Sequence, residues 1–93
     1  MLEKAIERKL YKSIKERGGM ALKFVSPTMT GIPDRMALMP GGCIAFIELK
    51  APGKPLRPIQ EKRKRQLESL GFRVFKIDRP EQIGGIVDEI QSP

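Results

Sequence analysis

Apolar residues recur at Leu2, Ile6, Leu10 and Ile14, the spacing of one helical face, and Gly18-Gly19 follows as a stop. A first helix is therefore expected over residues 2–17. Met20 to Val25 reads as a short strand closed by Ser26-Pro27, and a loop from Thr28 to Pro33 follows. Two apolar, β-prone segments, 36–39 and 43–50, then flank Pro40-Gly41-Gly42. Turn residues between two such runs predict an antiparallel hairpin. Pro52-Gly53-Lys54-Pro55 breaks the chain, and Pro58 suits the first turn of a second helix running to Leu70. Ile59, Leu67 and Leu70 are expected to face inward there. Residues 72–77 alternate as a fourth strand, with Phe72 and Val74 on one face and Phe75 and Ile77 placed to pack on helices. A last helix from about Pro80 to Gln91 carries Ile83, Ile86, Val87 and Ile90.

The order α-β-β-β-α-β-α places the chain in the α/β class, as a four-stranded mixed sheet flanked by helices. The third and fourth strands bracket a helix, so they are expected to be parallel neighbours joined by a right-handed crossover. In such sheets ligands collect outside the carboxyl ends of the strands, where Glu48 and Lys50 fall. Ninety-three residues make one domain, spanning 1–93.

The hairpin register decides the chemistry. If the three-residue loop places Met39 opposite Cys43, Asp34 falls opposite Glu48, and Lys50 joins the same face about 6.5–7 Å further along. A two-residue loop would turn Asp34 away. Two carboxylates facing each other across a ladder, at roughly 4.5–5.5 Å between Cβ atoms, repel unless something positive sits between them. A divalent cation held by Asp34, Glu48 and the Leu49 carbonyl meets that need, and magnesium or manganese suits such oxygen donors. Lys50 would orient a water or offset charge building on a phosphorus. The bland alternative is a surface hairpin with solvated charges.

Composition narrows the field. The formal net charge of +7 favours an anionic partner, most commonly nucleic acid for a basic domain. Histidine is absent, which excludes the usual zinc sites, Ser-His-Asp triads and an imidazole base. The single Cys43 has no disulfide partner in the chain, no apolar run approaches the ~18 residues of a membrane span, and the amino terminus lacks a signal-peptide core. A cytoplasmic setting is the expectation.

Pro33-Asp34, Glu48-Leu49-Lys50 and the element order resemble the PD-(D/E)xK nuclease superfamily, with its restriction-endonuclease-like core. More closely, Gly31-Ile32-Pro33-Asp34-Arg35, the Pro40-Gly41-Gly42 turn, Phe46-Ile47-Glu48-Leu49-Lys50-Ala51-Pro52-Gly53 and Gln60 resemble the virus-type replication-repair nuclease (VRR-Nuc) family over nearly the whole chain. The resemblance implies that Asp34 and Glu48 hold magnesium and that Lys50 assists the attacking water. It also implies a glutamate from the first helix near the metal. Glu3 and Glu7 are the choices, and Glu7 is preferred because it shares a stripe with Leu10 and Ile14. Gln60 would contact Lys50, the scissile phosphate or the metal waters.

Lys54, Arg57, Lys62, Arg63, Lys64 and Arg65 form a basic cluster after the site, and Lys23, Ser26 and Arg35 lie on its near side. Their sign and position suggest contact with a DNA backbone. The activity implied is a magnesium-dependent DNA endonuclease, acting on branched structures such as four-way junctions in phage replication or recombination, and suited to work as a homodimer. The rival readings are a flap- or nick-directed nuclease and a non-catalytic nucleic-acid-binding protein.

Overall fold

The computed structural model describes residues 2–92. Helix α1 spans Leu2–Glu16, followed by strands β1 (Met20–Lys23), β2 (Arg35–Met39) and β3 (Cys43–Leu49). Helix α2 (Pro58–Ser69) precedes β4 (Arg73–Ile77), and a 3-10 turn (Pro80–Gln82) leads into α3 (Ile83–Gln91). The four strands form one sheet in the order β1-β2-β3-β4, with β1/β2 and β2/β3 antiparallel and β3/β4 parallel. This is the mixed sheet flanked by helices that the apolar pattern predicts. The last helix differs, because Pro80 opens a 3-10 turn and regular α-helix starts only at Ile83.

Alternation along the strands separates two faces. Ala37, Met39, Ala45, Ile47, Leu49 and Ile77 are buried together with Ile6, Leu10 and Ile14 of α1 and Ile83, Val87 and Ile90 of α3. The apolar stripe of α3 is thus spent on the domain's own core. Arg73 pins that helix to β4, with Nη2 donating to the Ile90 carbonyl at 2.7 Å, a cation at the helix C-terminus. The opposite face carries Met36, Phe46 and Val74 in one row and Leu38 and Ile44 in the next. Phe46 is nearly buried there between Phe24 and Phe72, at ring-centroid distances of 5.2 and 5.5 Å. Helix α2 packs on this second face beside β4.

The hairpin turn places Met39 opposite Cys43, with Gly41 and Gly42 at φ 88° and 78°. Two consecutive left-handed residues are readily met only by glycine. The register runs on to Arg35 opposite Ile47, and one further step puts Asp34 opposite Glu48. Leu70, expected to face inward as part of the second helix, is 72% exposed, because α2 ends at Ser69 and Leu70 caps it. No helix among the described residues is long and apolar enough to cross a membrane.

Candidate active site

Asp34 enters at the start of β2, where the preceding loop is locked to both neighbours. Its carbonyl accepts the Phe24 N–H at 2.9 Å, and its Oδ1 accepts the Leu49 N–H at 3.2 Å. The side chain is thereby aimed across the ladder at β3. Gly31 makes the approach possible. It sits at φ +80°, and a Cβ there would lie 2.7 Å from Ile59 Cγ1 and 2.9 Å from the Ile59 carbonyl oxygen. Only a residue without a side chain lets the loop press onto the first turn of α2.

Glu48 is 7% exposed. Its Oε2 accepts a hydrogen bond from Gln60 Nε2 at 3.2 Å, and Gln60 Oε1 accepts the Arg57 N–H at 2.8 Å. Gln60 is therefore both the capping residue of α2 and the tether of Glu48. Lys50 follows at the end of β3, its N–H donating to the Ile77 carbonyl at 2.9 Å. Among the described residues its amine makes no ion pair. The loop beyond Lys50 is held by Asp78, whose Oδ2 accepts the Gly53 N–H at 3.2 Å.

The electrostatics follow from burial. Desolvation and the nearby Asp34 charge push the Glu48 carboxyl up to about 7, while Lys50 and Arg57 pull the other way. Burial also raises Asp34, against the Leu49 N–H and the Arg35 charge. Asp34 has one counter-charge, Arg35 Nη1 at 3.6 Å from its Oδ2, whereas Glu48 makes no ion pair among the described residues. Among the described residues no group of three or more His, Cys, Asp or Glu side chains converges as a metal nest. The Leu49 N–H points at Asp34, and strand geometry turns the Leu49 carbonyl to the same side. Two carboxylates and one carbonyl, all oxygen donors with a charge deficit between them, fit a hard divalent cation.

The two first-helix glutamates have different surroundings. Glu7 faces the sheet, as its stripe implies, but it is ion-paired with Arg35. Glu3 is the one whose charge raises both Asp34 and Glu48. The Glu7 carboxylate is thus engaged by the Arg35 guanidinium, while the Glu3 charge acts on both carboxylates of the site. Arg35 itself is no free phosphate ligand: its Nη1 donates to the Asp34 carbonyl at 2.9 Å, and its side chain is 14% exposed. A cleft of about 580 Å³ opens between Glu3, Lys4, Glu7, Lys23, Arg35 and Leu49 on this side.

The basic residues divide in the same way. Lys54, Arg57, Lys62 and Arg65 are exposed. Lys64 pairs with Glu68 at 2.9 Å, and Arg63 donates through Nε to the Thr30 carbonyl at 2.8 Å. The Ser26 hydroxyl accepts the Met29 N–H at 3.1 Å, so it shapes a turn. Lys76 escaped the charge-cluster reading. The parallel register sets it beside Glu48, with its amine 3.7 Å from Asp78, and the β-α-β crossover was the signal that could have placed it.

No family model matches the sequence. A protein of Acyrthosiphon pisum secondary endosymbiont phage 1, named "Putative nuclease p44", is 42% identical over 76 residues, which cover 82% of this chain and 82% of that protein. A solved structure titled "VRR_NUC domain" superposes with a TM-score of 0.89 at 21% identity, over 95% of this chain and 96% of that one. The chain belongs to the VRR-Nuc family.

Proposed function

We propose that this protein is a metal-dependent deoxyribonuclease that hydrolyses phosphodiester bonds in branched DNA, with the four-way junction as its leading substrate. What supports the reading is the hairpin register, which one step beyond Arg35 and Ile47 sets Asp34 opposite Glu48, together with the Asp34 charge that raises the Glu48 carboxyl and the Lys50 charge that opposes it. The phage relative's name and the shared fold support a nuclease.

Asp34, Glu48 and the Leu49 carbonyl would hold a magnesium or manganese ion, with Glu3 adding negative charge from α1. When bound, such an ion polarises a phosphoryl oxygen and acidifies a water. Lys50 orients the attacking water and offsets the charge that grows on the phosphoryl oxygens. Gln60 keeps the Glu48 carboxylate in a single orientation. Lys23, Lys54, Arg57 and Lys62 hold the DNA backbone, fixing its position without reading sequence. A homodimer would present two such sites and match the two-fold symmetry of a four-way junction.

The test is cleavage of labelled four-way junction, flap and linear duplex DNA in magnesium or chelator, by the wild type, Asp34→Ala and Lys50→Ala. Magnesium-dependent cutting of the junction that drops at least about a hundredfold in each variant is expected. Cutting that persists in both variants refutes the reading, and cutting of the flap alone replaces the junction with the flap as substrate.

A further inference from the structure

Beside the catalytic groups lies a second concavity that the cleavage chemistry leaves unused. Met29 and Ile32 of the loop before Asp34 form one wall, Leu67 of α2 and Leu70 just past its end form the other, and Arg63 and Gln66 complete the lining. Its volume is about 390 Å³, at the small end of the range for small-molecule sites. The cleft is held open by its surroundings. At one end Gly31 lets the loop touch Ile59, and Arg63 ties Thr30 to the helix. At the other end the Ser26 hydroxyl accepts the N–H groups of Thr28 and Met29, fixing the turn that carries Met29. Met29 and Leu70 remain 47% and 72% exposed, an apolar lining facing solvent in a chain of net charge +7.

The two walls are the same two elements that build the active site. The loop delivers Asp34, and α2 delivers Gln60, which touches Glu48 at 3.2 Å. At the helical rise of about 1.5 Å per residue, Leu67 lies about 10 Å along α2 from Gln60. That span corresponds to roughly three steps of a stacked strand at about 3.4 Å each, and to fewer in an extended one. Arg63 stands at the cleft itself, so a polyanion reaching it meets positive charge there.

We propose that this cleft receives one unpaired nucleobase of the DNA strand being cut, two or three nucleotides from the scissile phosphate. The inference rests on the nuclease reading and deepens it. A base has flat apolar faces and a polar edge. The side chains of Met29, Ile32, Leu67 and Leu70 match the faces, and the methionine adapts to purine or pyrimidine. The Gln66 amide, whose oxygen already accepts from Arg63 Nη1 at 2.9 Å, offers its N–H groups to the edge. A base inside a duplex cannot enter, because it must first leave its stack and its partner. Single-stranded flaps present bases already freed, and the pairs flanking a branch point open more readily than those inside a continuous duplex. The cleft therefore supplies a preference for branched over linear DNA that backbone contacts alone cannot give.

The test places the fluorescent base 2-aminopurine one to five nucleotides from the cut in a four-way junction and, separately, in a linear duplex. Binding is read with calcium in place of magnesium. The wild type is expected to change the fluorescence at one position, two or three nucleotides from the cut, in the junction alone. Met29→Ala/Leu70→Ala removes two solvent-exposed side chains, so the fold is retained, and it should abolish that change and slow junction cleavage roughly tenfold or more. Cutting of the linear duplex, however slow, should be unaffected. Equal fluorescence in wild type and variant, or equal junction cleavage, overturns the proposal. So does a change in sedimentation mass of the variant without a fluorescence effect, which would give the cleft to a second copy of the chain. A position-specific fluorescence response in a protein that cuts no DNA would instead sink the nuclease reading and leave the base site standing.

Discussion

Gln60 holds Glu48 through its amide nitrogen and its own helix through its amide oxygen. The Nε2 donor reaches Glu48 Oε2 at 3.2 Å, and Oε1 accepts the Arg57 N–H at 2.8 Å. Gln60→Ala should cost about 1 kcal/mol of stability as the capping contact is lost. It should also cut kcat about tenfold with little change in KM for the junction, since Glu48 is loosened and the backbone contacts stay. Gln60→Glu keeps an acceptor for the Arg57 N–H but sets a carboxylate against Glu48, so it should recover neither the stability nor the rate at neutral pH. Denaturant unfolding alongside steady-state kinetics separates the two losses.

Glu48 makes stability depend on pH in an unusual direction. Its folded pKa, about 7, lies above the ordinary value of 4.5, so the folded state holds its proton more tightly than the unfolded state. That contribution is fully present below about pH 4.5 and is lost as pH rises through 7. It amounts to a few kcal/mol, on the order of 1.4 for each pKa unit. Metal-free Glu48→Gln, which stays neutral, should be more stable than the wild type at pH 8, with the gap closing toward pH 5. Melting temperatures across that range measure it. Magnesium should raise the wild-type melting temperature at pH 8 and leave the variant nearly unmoved.

The two glutamates of α1 should separate by readout. Glu7→Gln breaks the ion pair with Arg35, whose Nε is already buried without a hydrogen-bond partner. About 2 kcal/mol of stability should be lost, with most of the metal affinity retained in the folded fraction. Glu3→Gln should leave unfolding unchanged within ~0.5 kcal/mol and weaken manganese binding several-fold in calorimetry.

Salt dependence should sort the basic side chains. Replacing Lys54, Arg57 or Lys62 with alanine is expected to lower the magnitude of the slope of log K against log salt by about 1 each. Lys64→Ala should change it less, because that amine is already paired with Glu68. Filter binding of a junction between about 50 and 200 mM salt provides the comparison.

Much of the fold was readable because it rests on short-range regularities. The spacing of Ile6, Leu10 and Ile14 marks a helix face, and the alternation of Cys43 to Leu49 marks a strand. The Pro-Gly-Gly turn then fixes the partner of each residue. The pairing of Asp34 with Glu48 follows from that arithmetic alone. What stayed hidden depends on side chains meeting across the fold. No local pattern reveals that Arg35 captures Glu7, that Arg63 bonds the Thr30 carbonyl, or that the Ser26 hydroxyl is consumed by its own turn. Leu70 shows the opposite failure. Its spacing from Ile59 and Leu67 suits an inward residue, but α2 ends at Ser69 with Leu70 as its cap, and periodicity carries no information about where a helix stops.

The two left-handed glycines at the hairpin tip work as a phase setter for chemistry performed at the far end of the strands. Asp34 is five residues below Met39, some 17 Å away at about 3.3 Å per residue, yet the side it faces is decided at the turn. Losing a single residue there inverts the parity of the whole ladder and swaps acid for hydrophobe along its length. The residue count of a solvent-exposed loop, and the two glycines its conformation calls for, thus decide which groups the far end of the hairpin presents.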